Sequence, residues 1–223
     1  GTSEAADRQG KGLTVALGCD GTEGFRLGLK ITLYEEYSFL ALQSEVVNTG
    51  GAPLRVQAFH VLDGGTIDLG GPVASWRIYE EGWQNWTPAM VLPCSGEDLY
   101  WAPPVIGPTT QPPRQPGRFV AEMMATIKDA SSGNGITAGF ISTADQFSQV
   151  WLDRDTASLT AASYADGVEV APGATLSSER LVVEFAADPL ASMERYGDAL
   201  AREMRAVPWP HVPSGWCSWY YYW

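Results

Sequence analysis

Two short segments concentrate the residues best suited to chemistry. One is Gly82-Trp83-Gln84-Asn85-Trp86-Thr87-Pro88. The other is Gly215-Trp216-Cys217-Ser218-Trp219-Tyr220-Tyr221-Tyr222-Trp223, in which six of nine residues are aromatic. Indole and phenol rings bury an apolar face while their N–H or O–H finds a polar partner. Taken alone, a tryptophan in a β-rich chain reads as core, and Trp83 and Trp216 read as packing. Glu35-Glu36 and Glu80-Glu81 are local acid pairs. Both pairs fall on predicted strands or turns, where neighbours project to opposite faces, so neither makes a dyad without help from the fold.

The remaining reactive residues carry less. Cys19, Cys94 and Cys217 are odd in number and lack a C-x-x-C spacing, which argues against a disulfide framework or a zinc site. No base neighbours Cys217 in sequence, so it reads as a buried small hydrophobe. His60 and His211 have no metal partner nearby in sequence and read as packed or surface residues. Gly133-x-Gly135 lacks a correctly placed third glycine and a following helix, so it is not a dinucleotide fingerprint. Asn85-Trp86-Thr87 matches the N-glycosylation triplet and is taken as coincidence.

The elements that hold these segments are mostly strands. Phe25, Leu27, Leu29, Ile31 and Leu33 alternate with polar residues and glycine, the period of a half-buried strand. Leu40, Leu42 and Val46 continue the pattern up to a turn at Asn48-Thr49-Gly50-Gly51. Leu54, Val56 and Ala58 begin a third run. Phe119, Ala121, Met123, Ala125 and Ile127 form another, joined through Ser131–Gly135 to a strand from Ile136 to Ser142. Leu181, Val183 and Phe185 make a late strand, with Arg180 and Glu184 facing out. Ten to fourteen short strands predict a large antiparallel double sheet. Six prolines between Pro103 and Pro116 mark a surface loop. One helix is expected, capped by Asp188 with Pro189 in its first turn and an apolar stripe of Leu190, Met193, Tyr196, Leu200 and Met204. Pro208-Trp209-Pro210 ends it and reads as a linker.

Composition narrows the function classes. The 223 residues suffice for an ordinary hydrophobic core, and a 45% hydrophobic, 18% charged composition is that of a globular chain. Fourteen basic against 26 acidic residues give a net charge of −12, which disfavours nucleic acid as a partner. No stretch is apolar for the length of a membrane span. Residues 1–12 carry no signal-peptide core, and cysteine usage points to the cytoplasm.

Pro213-Ser214-Gly215-Trp216-Cys217-Ser218-Trp219-Tyr220 resembles the start of the catalytic (β/α)8 barrel in glycoside hydrolase family 36. Gly82 to Pro88 resembles that family's W-Q-x-W-x-P loop. The layout agrees: strands, one helix, a proline break and an aromatic strand. Tyr221 and Trp223 depart from bacterial relatives, which often carry His and Phe there. The resemblance implies a mainly β fold: a large antiparallel β-supersandwich over 1–187, a linker helix and proline-rich break over 188–212, and the first strand of a truncated barrel over 213–223.

The resemblance further implies a fragment of a retaining α-galactosidase, with an α-galactoside oligosaccharide as its small-molecule partner. Trp86, Trp219 and Tyr220 then line the sugar pocket. Galactose has one face of C–H groups on which an indole can lie. Retaining glycosidases use two carboxylates about 5–5.5 Å apart, and a barrel takes about 250 residues. The catalytic pair is therefore expected beyond residue 223, with no catalytic residue, metal or cofactor in this chain, and the fragment alone is expected to be inactive. Its other partners would be the missing barrel and further copies in a homo-oligomer. A self-standing carbohydrate-binding or structural sandwich is the alternative. Within enzymes, an α-N-acetylgalactosaminidase or a raffinose-synthase-like transglycosylase is the second choice.

Overall fold

The structure, a computed structural model, describes residues 1–21, 24–82, 89–98, 115–212 and 214–215. These form fourteen strands in two antiparallel sheets and one α-helix. One rim of the ten-stranded sheet is built from β1 (Thr2–Asp7), β2 (Gly10–Asp20), β3 (Phe25–Tyr34) and β4 (Leu40–Asn48). The sheet continues through β14 (Leu181–Ala186), β10 (Gly135–Phe140), β9 (Met124–Asp129) and β6 (Trp76–Glu80) to β7 (Met90–Pro93). The short β13 (Thr175–Ser177) also pairs with β4. The four-stranded sheet runs β5 (Leu54–Thr66), β12 (Ser158–Val170), β11 (Phe147–Asp153) and β8 (Arg118–Glu122).

The period-two pattern explains the main core. Ile78, Ile127, Ile136, Ala138, Leu181 and Val183 point inward from the large sheet, against Phe59, Phe119, Val150, Leu152 and Leu159 of the small one. The run from Phe119 to Ile127 is not one strand, as its alternation predicted. It breaks at Met123, whose φ of 57° lies in the left-handed region. Phe119 and Ala121 reach the core from the small sheet, and Ala125 and Ile127 reach it from the large one. The alternation survives because both halves face the same core from opposite sides. The Met123 N–H donates to Ser148 and its carbonyl accepts from the Phe140 N–H, so the break ties the two sheets together. Ala58 likewise does not continue the face of Leu54 and Val56. A shift in the β5–β12 register turns it to the outer face of the small sheet, beside Tyr164.

The helix α1 (Pro189–Met204) packs on the outer face of the large sheet, against β9, β10 and β14. Asp188 caps it, accepting from the N–H groups of Leu190 and Ala191. The buried face is narrower than the expected stripe. Ser192, Tyr196 and Ala199 are buried and Met193 and Leu200 partly so, whereas Leu190 is 71% exposed and Met204 lies at the surface. Small side chains at 192 and 199 let the helix approach closely, and Gly139 on β10 receives the ring of Tyr196.

The strand β14 reverses another expectation. Glu184 does not face solvent but lies under the helix, where it accepts from Ser38, Ser192 and Arg195. Burial works against its charge, but those bonds and the Arg195 guanidinium hold its pKa below the usual value. Phe185, expected inside, is 61% exposed. Arg180 spans Asp7, Tyr34 and Glu203 and so joins β1, β3 and the helix.

The two glycines beside this interface should respond oppositely to substitution. A Cβ at Gly139 would lie 2.5 Å from the Tyr196 ring and 2.6 Å from the Met124 Cβ, whereas one at Gly197 meets nothing within 4 Å. Gly139→Ala is expected to cost about 1–3 kcal/mol through overpacking. Gly197→Ala is expected to gain up to about 1 kcal/mol from helix propensity. Thermal unfolding of both variants checks the pair, at about 2–4 °C per kcal/mol.

Candidate functional site

The sugar-pocket residues expected from the sequence, Trp86, Trp219 and Tyr220, lie outside the described residues, as do Trp83, Trp216 and Cys217. What the structure does describe is the frame around the Trp-Gln-Asn-Trp segment and the proline-rich segment. The first departs from β6 at Gly82 and returns before β7, whose Met90 pairs with Glu80. The second departs after Asp98 and returns at Gln115.

Side-chain carboxylates pin the feet of the second segment together. Glu97 accepts from the Gly117 N–H at 3.0 Å, and Asp98 accepts from the Val120 N–H at 3.1 Å. Arg154 donates to the Gly96 carbonyl at 2.6 Å and pairs with Glu97. Arg118 grips Asp153 through two parallel bonds of 2.7 and 2.9 Å, a geometry only a guanidinium supplies. The Glu122 N–H donates to the carbonyl of Glu81, which sews β8 to the first foot.

The two feet meet at a buried acid. Trp76, Ile78 and Glu80 occupy alternate positions of β6, so Glu80 continues an apolar face and is 3% exposed. Burial pushes its pKa up to about 9, helped by the charge of Asp98 and a hydrogen bond with it. Glu80 is therefore a neutral acid at pH 7. Among the described residues its Oε1 has no hydrogen-bond partner. The neighbouring Cys94 thiol is pushed up to about 12 by burial and by Glu80, which makes it inert. Glu81, on the opposite side of the strand, is raised by burial. It in turn raises Tyr79 and Tyr196, both already raised by burial. The two adjacent acids thus serve opposite faces, as strand geometry requires.

Beside these feet the outer face of the small sheet carries Val120, Trp151, Ala162 and Tyr164. The Arg118 guanidinium lies 5.9 Å from the Trp151 ring centre, and His60 meets the same ring edge-on. Gln149 donates to Glu122 at 3.0 Å. Sequence reasoning missed the Glu80–Asp98 pair. The available signal was an acid placed where the alternation of Trp76 and Ile78 demands an apolar side chain. Asp98, distant in sequence, gave none.

In the described frame Glu97 and Asp98 accept from backbone N–H groups, and Glu80 is buried among its neighbours. The chemistry of the frame is positional: hydrogen-bonded feet that set where two segments start and end. No helix among the described residues is long and apolar enough to cross a membrane.

Among known proteins, no family model and no curated sequence matches the chain. Solved structures do. The α-galactosidase from Lactobacillus brevis superposes with a TM-score of 0.55 at 10% identity, over 89% of this chain and 26% of that one. The galactosidase domain of the α-galactosidase–sucrose kinase AgaSK gives 0.53 at 9% identity, over 83% of this chain and 25% of that one. The family 36 α-galactosidase AgaA variant from Geobacillus stearothermophilus, in complex with raffinose, gives 0.51 at 15% identity, again over 83% and 25%. The chain thus spans about a quarter of the length of the glycoside hydrolases it resembles, and at these identities the likeness is one of fold.

Glu80 makes a pH signature. Its folded pKa is raised, so above pH 4.5 the unfolded chain loses this proton while the folded chain keeps it. Stability from this group is therefore fully present below pH 4.5 and declines as pH rises toward 9. Glu80→Gln keeps a neutral donor beside Asp98. Denaturant midpoints at about pH 5.5 and 8.5 should fall for the unmodified protein and change less for the variant.

Proposed function

We propose that the chain is the β-sandwich head of a retaining α-galactosidase, which removes terminal α-linked galactose from oligosaccharides of the raffinose type. The observation that carries this reading is the fold likeness to three α-galactosidases over at least 83% of the chain. The octapeptide Pro213–Tyr220 and the Gly82–Pro88 segment point the same way from sequence. In this reading residues 1–187 are the sandwich, 188–212 the linker, and 213–223 the first strand of a catalytic (β/α)8 barrel. Trp86, Trp219 and Tyr220 form one wall of the sugar pocket, and the nucleophile and acid/base lie beyond residue 223.

The role assigned to the sandwich follows from its construction. A sugar needs a rigid apolar surface against its C–H face, and rigidity on a long connection requires fixed ends. The end of β6, where Glu80 is buried beside Asp98 and the Glu81 carbonyl accepts from the Glu122 N–H, supplies such an end for the segment carrying Trp86, and the carboxylates of Glu97 and Asp98 fix the adjoining proline-rich segment. The isolated chain shapes substrate binding without breaking a bond.

The coding sequence beyond Trp223 should continue into a barrel, and the whole protein should cleave a chromogenic α-galactoside. Trp86→Ala is expected to lower kcat/KM roughly 30-fold, about 2 kcal/mol for a lost aromatic platform. The 223-residue chain alone should show no turnover. A stop codon after Trp223 would sink the enzyme reading in favour of a carbohydrate-binding or assembly module.

A further inference from the structure

A cleft of about 650 Å³ opens where the β10–β11 and β13–β14 connections meet the last turn of α1. That volume lies within the roughly 300–1,000 Å³ of small-molecule sites. At its base is Glu179, only 5% exposed. The Glu179 Oε1 accepts the N–H groups of Asp145 and Gln146 at 2.8 and 2.9 Å. Ser163 accepts from the Glu179 N–H and donates to the Gln146 Oε1, and the Gln146 amide donates to the Ser177 carbonyl. These bonds lock the two connections to each other, so the carboxylate is held in one place before anything enters.

The second oxygen of Glu179 is treated differently. No described residue donates to its Oε2, and that oxygen keeps contact with solvent through the cleft. A carboxylate taken mostly out of water is costly unless its lone pairs find donors. Bracing the β10–β11 connection uses one oxygen, and the other remains for an occupant of the cleft.

The lining selects that occupant. Asp145, Glu179 and Glu203 offer acceptors, whereas Gln43 and Arg180 offer N–H donors. Gln43 spends one amide hydrogen on the Ser178 carbonyl and has a second. Hydroxyl groups donate and accept at once, which matches a lining of both kinds. Three acids disfavour an anion, and the Arg180 guanidinium beside Glu203 disfavours a cation. Among the described residues no three metal-ligating side chains converge, so the acids act singly. Ala165, Val168 and Leu176 supply apolar surface for the C–H groups of a sugar ring.

We propose that this cleft binds an uncharged oligosaccharide, whose hydroxyl groups donate to the Glu179 Oε2 and bridge the acids and the Gln43 amide. The site is built without Trp86, Trp219 or Tyr220 and breaks no bond, so it stands apart from the enzymatic reading.

Hydrogen exchange read by mass spectrometry, with raffinose as the probe, tests this and locates binding along the chain. Peptides covering 142–146 and 177–180 should gain protection with a half-point of about 1–10 mM, the affinity of a few hydrogen bonds on a solvated site. Glu179→Gln replaces a charged acceptor by a neutral one and should weaken binding roughly 10-fold. Glu179 also braces the β10–β11 connection, so a variant that leaves the brace alone completes the test. Thr175 is exposed at the edge of the cleft, and the indole of Thr175→Trp should fill it and abolish the protection. Phe185→Ser, outside the cleft, should leave the protection unchanged. No protection at about 50 mM raffinose, protection that survives Thr175→Trp, or protection by the diammonium putrescine in place of raffinose would each overturn the proposal.

Discussion

The backbone reversal at Met123 is the constraint on which the architecture rests. A residue with a side chain pays roughly 1–2 kcal/mol to sit in the left-handed region, and here that conformation lets one polypeptide run leave the small sheet and enter the large one. The peptide groups at the reversal are spent on bonds to Ser148 and Phe140, one in each sheet. The separation of the sheets, the meeting of Phe119 with Ile127 across the core and the position of Glu122 beside Glu81 all follow from it. The frame around the tryptophan segment is thus fixed by the same device that makes the fold a sandwich.

Much of this was legible in the residues. Periodicity gives the fold class, the β9–β10 hairpin with its Ser131–Gly135 turn, and the capped helix, because each rests on local physics: alternate burial, glycine's freedom and an aspartate's reach to free N–H groups. Where reading failed, distant partners decided. Nothing local tells that Phe119 and Ala125 belong to different sheets, since both halves of the run obey the same alternation. Glu184 reads as solvent-facing until the helix, which begins only after the strand ends, brings Ser192 and Arg195 over it. Phe185 is left outside for the complementary reason: no described element reaches the end of β14 on its side.

Trp86 is offered for a binding wall by the resemblance alone, and it lies outside the described residues. The acids that clamp the connections announce nothing, because Asp98 and Glu97 have meaning only beside Val120 and Gly117. Glu80 is the intermediate case. It is visible as an anomaly in an apolar alternation, yet interpretable only once burial and Asp98 explain why it stays protonated.

The contacts that close the outer face have a temporal meaning. Gln9, near the start of the chain, donates to the carbonyl of Ala199 on the helix and to Glu203, and Arg8 reaches the Glu203 carbonyl. Some 190 residues separate these partners. On a ribosome, the first hairpin emerges long before the helix that anchors it. The β1–β2 hairpin therefore waits through the synthesis of every strand that follows it, an interval in which a nascent chain is exposed to mispairing and dependent on chaperones.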